Sequence, residues 1–136
     1  MFTIGKSFTF EAAHHLEGLP EGHKCARPHG HSYRIEVILE SEALAGPGFV
    51  ADFATLMPVK ALLDGQWDHR YLNDVFADGQ PTCENLALYL FEWCRTNLDG
   101  QVARLLAAVR VSETRATWAE YRPDPEAALS SPGRDA

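Results

Sequence analysis

Several features are scarce in this 136-residue sequence, and each scarcity excludes a class of protein. Cysteine occurs only three times and at wide spacing, which fits free thiols in a reducing compartment better than a disulfide framework. No apolar run approaches the ~20 residues of a membrane-spanning helix. The first ten residues, MFTIGKSFTF, have neither the basic flank nor the apolar core of a signal peptide. We therefore expect a cytoplasmic protein with no membrane partner.

Positive charge is also scarce, with 12 Lys and Arg against 19 Asp and Glu and a formal net charge of -7. General nucleic-acid binding requires a basic face that neutralises phosphates, so this composition argues against it. A small anionic substrate is not excluded. Lys24, Arg27, Arg34 and Arg70 lie close in sequence to histidines and can create a local positive field, although scattered solubilising charge is the better explanation for any single one of them.

Two segments alternate with the period of two that is typical of half-buried strands. One places Phe8, Phe10, Ala12 and His14 on a single face, and the other does the same from His29 to Leu39. In both segments the histidines share their face with apolar side chains. The connection EGLPEGHKCARP is rich in glycine and proline, which predicts a loop with a turn near residues 20–22.

Two further segments have apolar residues at helical spacing, over residues 52–64 and residues 82–98. Pro58 is tolerated only in a first turn, so we expect the first helix to begin near Thr55. Thr82 begins the second segment and is a good N-cap residue. These patterns predict two helices between the early and the late strands.

The last patterned region alternates through Val109 and Val111, then turns and forms another strand that ends near Tyr121. The order ββααββ predicts one α+β domain over residues 1–123, with two helices on one face of an antiparallel four-stranded sheet. Residues 124–136 are rich in proline and poor in apolar side chains, so we expect a disordered tail. An open four-stranded sheet leaves two edges exposed, which favours a homo-oligomer.

The sequence His29-Gly-His31 opens the second strand and indicates a metal site. Residues i and i+2 of a strand point the same way, so both imidazoles can reach one cation. His14 supplies a third ring nitrogen if the two strands pair as a hairpin; His15 has the opposite parity and is the alternative ligand. Three imidazoles with a vacant fourth position are typical of catalytic zinc, whereas closed four-ligand sites are structural.

Cys25, four residues before the His-Gly-His, fits two roles. It either closes a structural Cys-His₃ zinc site or lies beside the metal as a reactive thiolate. Asp68 and His69 form a pair in which the carboxylate can orient the imidazole as a proton relay, although a surface loop explains them as well. Glu113 is a carboxylate at an apolar position, which suits either an anchor for an amino-pyrimidinone ring or a structural salt bridge. Cys83 and Cys94 fit packing within the long helix.

Six motifs in this order resemble the 6-pyruvoyltetrahydropterin synthase family: FTFEAAHHL, LPEGHKCARPHGHSY, DFATL, WDHRYLN, PTCENLA and VSETRATWAEY. The resemblance runs from about Phe8 to Tyr121. The spacing Cys-x₃-His-Gly-His and the retained Cys25 are similar to the bacterial branch that forms 6-carboxytetrahydropterin for queuosine biosynthesis. The pyruvoyl-forming members typically insert two more residues there.

The resemblance implies the tunnelling fold, in which subunits form trimeric barrels that stack into a hexamer, a dimer of trimers with active sites between subunits. It implies 7,8-dihydroneopterin triphosphate as substrate, and 6-carboxytetrahydropterin, acetaldehyde and triphosphate as products. The roles that it implies are Zn²⁺ ligands at His14, His29 and His31, a catalytic cysteine at Cys25, proton-relay partners at Asp68 and His69, and substrate contacts at Glu113 and Thr82. The alternatives are a pyruvoyl-forming or side-chain-cleaving pterin lyase, or a non-catalytic zinc-binding module with a structural Cys-His₃ site.

Overall fold

A long antiparallel hairpin organises the fold. In the computed structural model, which describes residues 1–125, β1 is Phe2–His14 and β2 is His29–Ser41. Their register pairs His14 with His29 and Ala12 with His31. The predicted pairing of the two histidine-bearing strands is therefore confirmed, and it places the three imidazoles at one end of the hairpin.

Three more strands complete a five-stranded mixed sheet. β3 is Arg70–Tyr71, β4 is Leu106–Ser112 and β5 is Ala119–Tyr121. The spatial order is β3-β1-β2-β4-β5, and every pair is antiparallel except β1 with β3. The four predicted strands are present in the predicted α+β arrangement.

The prediction of only four strands was wrong by one, because β3 joins the free edge of β1 as a parallel strand. Two hydrogen bonds to the backbone of Glu11 in β1 hold it there. The amide of His69 donates to the Glu11 carbonyl at 2.6 Å, and the Glu11 amide donates to the Asp68 carboxylate at 2.8 Å. A strand of two residues has no alternation to detect. Only the long-range contact reveals it.

The helical elements follow the predicted order with shorter pieces between them. They are 3₁₀ turns at Lys24–Ala26 and Phe53–Leu56, α1 at Met57–Leu62, a π-helical turn at Leu63–Trp67, α2 at Leu72–Val75, α3 at Cys83–Asn97 and α4 at Gly100–Ala103. Helix α3 is the element predicted over residues 82–98, with the Thr82 hydroxyl accepting from the Asn85 amide as its N-cap.

The predicted start of the first helix at Thr55 was wrong in detail. The chain turns from Phe53 onward, because the Asp52 carboxylate accepts from the Ala54 amide at 2.9 Å and caps a 3₁₀ turn that continues into α1. Pro58 lies in the first turn of α1, as predicted. The helical path continues past residue 64 as the π turn and ends at Trp67.

One face of the sheet carries the core. Alternate residues of β1, β2 and β4 pack against the helical layer. The fully buried members of this core include Tyr33 and Val109 from the sheet, Leu56 from the 3₁₀ turn before α1, and Leu90 and Phe91 from α3. The opposite face carries polar and charged side chains that pair with one another, such as Arg110 with Glu120 at 2.7 Å. The helices thus cover one face only, which confirms the predicted layer arrangement.

The predicted disordered tail, residues 124–136, lies outside the described residues apart from its first two. Within residues 1–125, no helix has both the length and the apolar character needed to cross a membrane.

Candidate metal centre

Three imidazoles converge at the end of the β1–β2 hairpin. The ring centroids of His14, His29 and His31 are separated by 4.6, 5.0 and 4.8 Å, and their candidate ligand nitrogens all lie within 4.8 Å of one another. The register explains this convergence, because His14 lies directly across from His29 while His31 follows two residues later on the same face. Among residues 1–125, these three side chains are the group that can hold a metal ion.

Backbone carbonyls fix the orientation of two of the rings. The Nδ1–H of His14 donates to the carbonyl of Pro81 at 2.8 Å, and the Nδ1–H of His29 donates to the carbonyl of Arg27 at 2.7 Å. Each bond leaves Nε2 as the unprotonated nitrogen that can bind a cation. A histidine that donates its other ring N–H to a carbonyl is the usual outer arrangement around a metal ligand.

The unpaired ring nitrogens test whether a cation fits. Nε2 of His14 and Nε2 of His31 are buried and have no hydrogen-bond partner, which is costly unless a ligand satisfies them. Burial lowers the pKa of both rings below the ordinary 6.5, with a further lowering from the neighbouring His29. The rings are therefore neutral near pH 7, which is the form that binds metal. The donor set fits Zn²⁺ or another cation that prefers imidazole.

Glu113 lies immediately beyond β4 and approaches the same cluster. One oxygen of its carboxylate is 3.7 Å from Nε2 of His14 and 3.6 Å from Nε2 of His31, which is too far for a hydrogen bond. The thiol of Cys83 interacts with this carboxylate, and burial together with Glu113 raises the pKa of that thiol to about 12. Cys83 is thus more than the packing residue that its helical position suggested.

Cys25 is not part of the three-imidazole group. Its thiol is not among the donors that lie within 4.8 Å of one another. The residue is half-buried in the 3₁₀ turn Lys24–Ala26, and its carbonyl accepts from the amide of Leu16 at 2.8 Å. This bond ties the Cys25 turn to the chain two residues beyond His14.

Asp68 and His69 form a hydrogen-bonded pair at the edge of the sheet. Nδ1 of His69 is 3.0 Å from the Asp68 carboxylate, and the Glu11 amide together with His69 lowers the pKa of that carboxyl. The His69 side chain is 78% exposed, and its backbone has a positive φ of 59°. A groove of about 550 Å³ is lined by both His31 and His69.

The remaining predicted residues have local partners. Thr82 caps α3, directly after the proline whose carbonyl orients His14. The alternative ligand, His15, stacks on Tyr71 and accepts or donates a hydrogen bond at its hydroxyl, so its ring belongs to a different cluster from the three imidazoles.

The family of the chain follows from comparison with known proteins. The family model described as 6-pyruvoyl tetrahydropterin synthase matches residues 3–124. The chain belongs to this family. The match spans every strand of the sheet and all the residues of the metal centre, and it confirms the resemblance seen in the six sequence motifs.

Similar proteins of this family come from distant organisms. A 6-carboxy-5,6,7,8-tetrahydropterin synthase of Synechocystis is 38% identical over 89% of this chain and 93% of its own length. A dihydroneopterin monophosphate aldolase of Pyrococcus furiosus is 38% identical over 69% of this chain and 75% of its own length. The structure of Caenorhabditis elegans 6-pyruvoyl tetrahydropterin synthase has a TM-score of 0.78 at 29% identity, covering 90% of this chain and 96% of that one. The fold is therefore that of the pterin-acting family.

Two residues near the centre were missed from sequence. Tyr33 is fully buried, its hydroxyl has no partner, and burial raises its pKa far above the ordinary value, with Glu113 and Cys83 contributing. Pro81 supplies the carbonyl that orients His14. The alternation of β2 identified Tyr33 only as a core residue, and no sequence pattern identifies a carbonyl as a hydrogen-bond acceptor for a particular histidine.

Proposed function

We propose that this protein is a zinc-dependent carbon-oxygen lyase that acts on 7,8-dihydroneopterin triphosphate. The products are 6-carboxytetrahydropterin, acetaldehyde and triphosphate, with the uptake of one water, as a step of queuosine or 7-deazapurine biosynthesis. The observation that carries the proposal is the convergence of three imidazoles, two of them oriented by backbone carbonyls, in a chain of a pterin-acting family. The name of the similar Synechocystis protein supports the carboxy-forming reaction.

His14, His29 and His31 hold the metal through their ring nitrogens in this proposal. A bound Zn²⁺ acidifies hydroxyl groups and stabilises negative charge on neighbouring oxygens. The absence of the Cys25 sulfur from the donor group supports an open coordination position for the substrate side chain. A closed Cys-His₃ site would be structural instead.

Cys25 and the Asp68–His69 pair move protons on the substrate side chain. The hydrogen bond from the amide of Leu16, two residues beyond His14, to the Cys25 carbonyl supports a position of the Cys25 turn near the metal centre. Asp68 accepts the Nδ1 proton of His69 and leaves Nε2 to take or return a proton. We further propose a homo-hexamer, a dimer of trimers, in which the exposed His69 of one subunit faces the metal centre of a neighbour.

Glu113 and Thr82 contact the pterin ring. The Glu113 carboxylate can accept two parallel hydrogen bonds from an amino-pyrimidinone, and its position beside two of the imidazoles supports a ring bound next to the metal. The Thr82 hydroxyl accepts from the Asn85 amide and still has a proton to donate. Lys24 and Arg27 lie close to Cys25 in the chain and are candidate cations for the triphosphate.

The product decides between the proposed reaction and its nearest alternatives. Purified protein loaded with zinc is incubated with 7,8-dihydroneopterin triphosphate, and the products are identified by mass spectrometry. We expect 6-carboxytetrahydropterin together with acetaldehyde. A 6-pyruvoyl product, or a hydroxymethyl-dihydropterin from side-chain cleavage as the name of the Pyrococcus relative suggests, would contradict the assignment and support that alternative.

The role of Cys25 is tested by the Cys25→Ala variant. An enzyme of the proposed kind keeps its zinc and its melting temperature and loses turnover. A structural Cys-His₃ module loses metal and stability together, because metal binding and folding are coupled at such sites. The metal content and the melting curve of this one variant separate the two classes of function.

A further inference from the structure

Two side-chain amides pair with the backbone where β1 ends. Asn73 accepts from the amide of His15 at 2.9 Å and donates to its carbonyl at 3.0 Å. Gln80 accepts from the amide of Glu17 at 2.8 Å and donates to its carbonyl at 2.7 Å. Each primary amide thus presents one donor and one acceptor to a single residue, as a neighbouring strand would.

The two paired residues lie just beyond the end of β1. His15 and Glu17 are two residues apart, and each uses both its N–H and its C=O in the pairing. We name Asn73 and Gln80 the amide clamp. It extends the hydrogen-bonding of β1 past His14, at the point where the ladder with β2 ends.

The clamp is linked to the metal centre through one carbonyl. Gln80 precedes Pro81, whose carbonyl accepts the Nδ1–H of His14. Proline has no backbone N–H with which to anchor itself, so its neighbours set its position. The Gln80 side chain ties this segment to the extension of β1, and the Gln80 carbonyl accepts from the Thr82 amide and the Asn85 side chain, both at 2.9 Å.

We propose that Asn73 and Gln80 are positioning residues for the metal centre. Asn73 fixes the segment after His14 against α2, and Gln80 fixes the same segment against the residues that carry the Pro81 carbonyl. This carbonyl sets the tautomer and the rotation of the His14 ring. The inference rests on the metal-binding part of the proposed function, and it does not depend on which pterin is converted. Loss of either amide misorients a ring nitrogen that otherwise points at the cation.

The test measures metal binding by the full chain with Co²⁺ as the probe. Gln80→Met and Asn73→Leu remove the clamp at nearly constant side-chain size. Gln101→Met and Asn97→Leu are the matched controls, since Gln101 is exposed and the Asn97 side chain donates only to a carbonyl within α3. We expect the dissociation constant for Co²⁺, measured by competition with a chelator, to rise 10- to 100-fold in each clamp variant and less than twofold in each control.

The visible spectrum of bound Co²⁺ separates positioning from general stability. At saturating metal, the bands of the clamp variants should shift or change intensity, because a misplaced imidazole alters the ligand geometry. Clamp variants that melt earlier but keep the wild-type dissociation constant and spectrum would overturn the inference, as would a wild-type chain that binds no Co²⁺. If Gln80→Met does not fold, Gln80→Glu takes its place, because this variant keeps the acceptor for the Glu17 amide and loses only the donor to the Glu17 carbonyl. An unchanged dissociation constant for Co²⁺ in Gln80→Glu would also overturn the inference. Metal binding with no pterin turnover would refute the proposed function alone.

Discussion

His29→Ala is the substitution that tests the metal centre with the least damage to the fold. His29 is half-buried at the start of β2, and its Nδ1–H bond goes to the carbonyl of Arg27 in an exposed loop. Water can solvate that carbonyl once the ring is removed. We therefore expect the free energy of unfolding of the metal-free variant to lie within about 1 kcal/mol of the wild-type value. His14→Ala would be a less specific test, because His14 is 1% exposed and removal of its ring leaves a cavity that itself destabilises the fold.

The expected effect follows from linkage between metal binding and folding. At free zinc of about 100 times the dissociation constant, binding stabilises the folded state by about 2.7 kcal/mol. For a domain of this size, that free energy raises the melting temperature by roughly 10 °C. If loss of one of three ligands weakens binding about a thousandfold, the same zinc concentration stabilises the variant by less than ~0.1 kcal/mol. Its melting temperature should then rise by less than about 1 °C.

The assay is thermal unfolding by circular dichroism with chelator and then with zinc. His23→Ala is the matched control, because it also removes an imidazole that makes one hydrogen bond to the backbone, in this case accepting from the amide of Cys25 at 3.0 Å. We expect His23→Ala to keep the zinc-induced shift. A His29→Ala variant that retains the full shift would refute the assignment of the three imidazoles as the metal site. An equal loss of the shift in His23→Ala would refute it as well.

Three further measurements test separate parts of the structure. Burial lowers the pKa of His14 and His31, so the folded protein binds fewer protons than the unfolded chain. The free energy of unfolding of the metal-free protein should therefore fall as the pH drops below about 6.5 and level off below the folded-state pKa values. A urea-denaturation series that is flat from pH 7 to 5 would contradict this. Iodoacetamide at pH 8 should label Cys25 before the two thiols of α3, whose pKa values burial raises to about 12, and mass spectrometry of the native protein reads the order. Leu90→Ala should lower the free energy of unfolding by about 2–5 kcal/mol because the side chain is fully buried, whereas Leu88→Ala, at an exposed position of the same helix, should change it by less than ~0.5 kcal/mol.

The metal centre shows how much of a site an alternating sequence pattern can predict. A period of two placed His14 on one face of its strand and put His29 and His31 together on one face of theirs, so the sequence predicted which imidazoles point the same way. The long helix was equally accessible, because the Thr82 cap and the apolar stripe that follows it are both local signals. These predictions needed no knowledge of how distant segments meet.

The register of the hairpin was not accessible in the same way. The fourteen residues between His14 and His29 allow more than one pairing, and a slip of one residue would send the imidazoles to opposite faces. The burial of Phe10 against Tyr33, whose rings stack at 4.9 Å, selects the observed register. That choice depends on packing between residues 23 positions apart in the chain.

The sequence by itself determined which residues can bind a cation and which segments can alternate or coil, because these properties depend on side-chain type and on periods of a few residues. The tertiary structure alone decided where the edge strand β3 attaches, which carbonyl orients His14, and that Asn73 and Gln80 pair with the backbone of His15 and Glu17. Each of these is a hydrogen bond between segments roughly 60 residues apart. Such bonds form only when the folded core brings both partners together, and a single asparagine or glutamine carries no local sign of the backbone that it will meet.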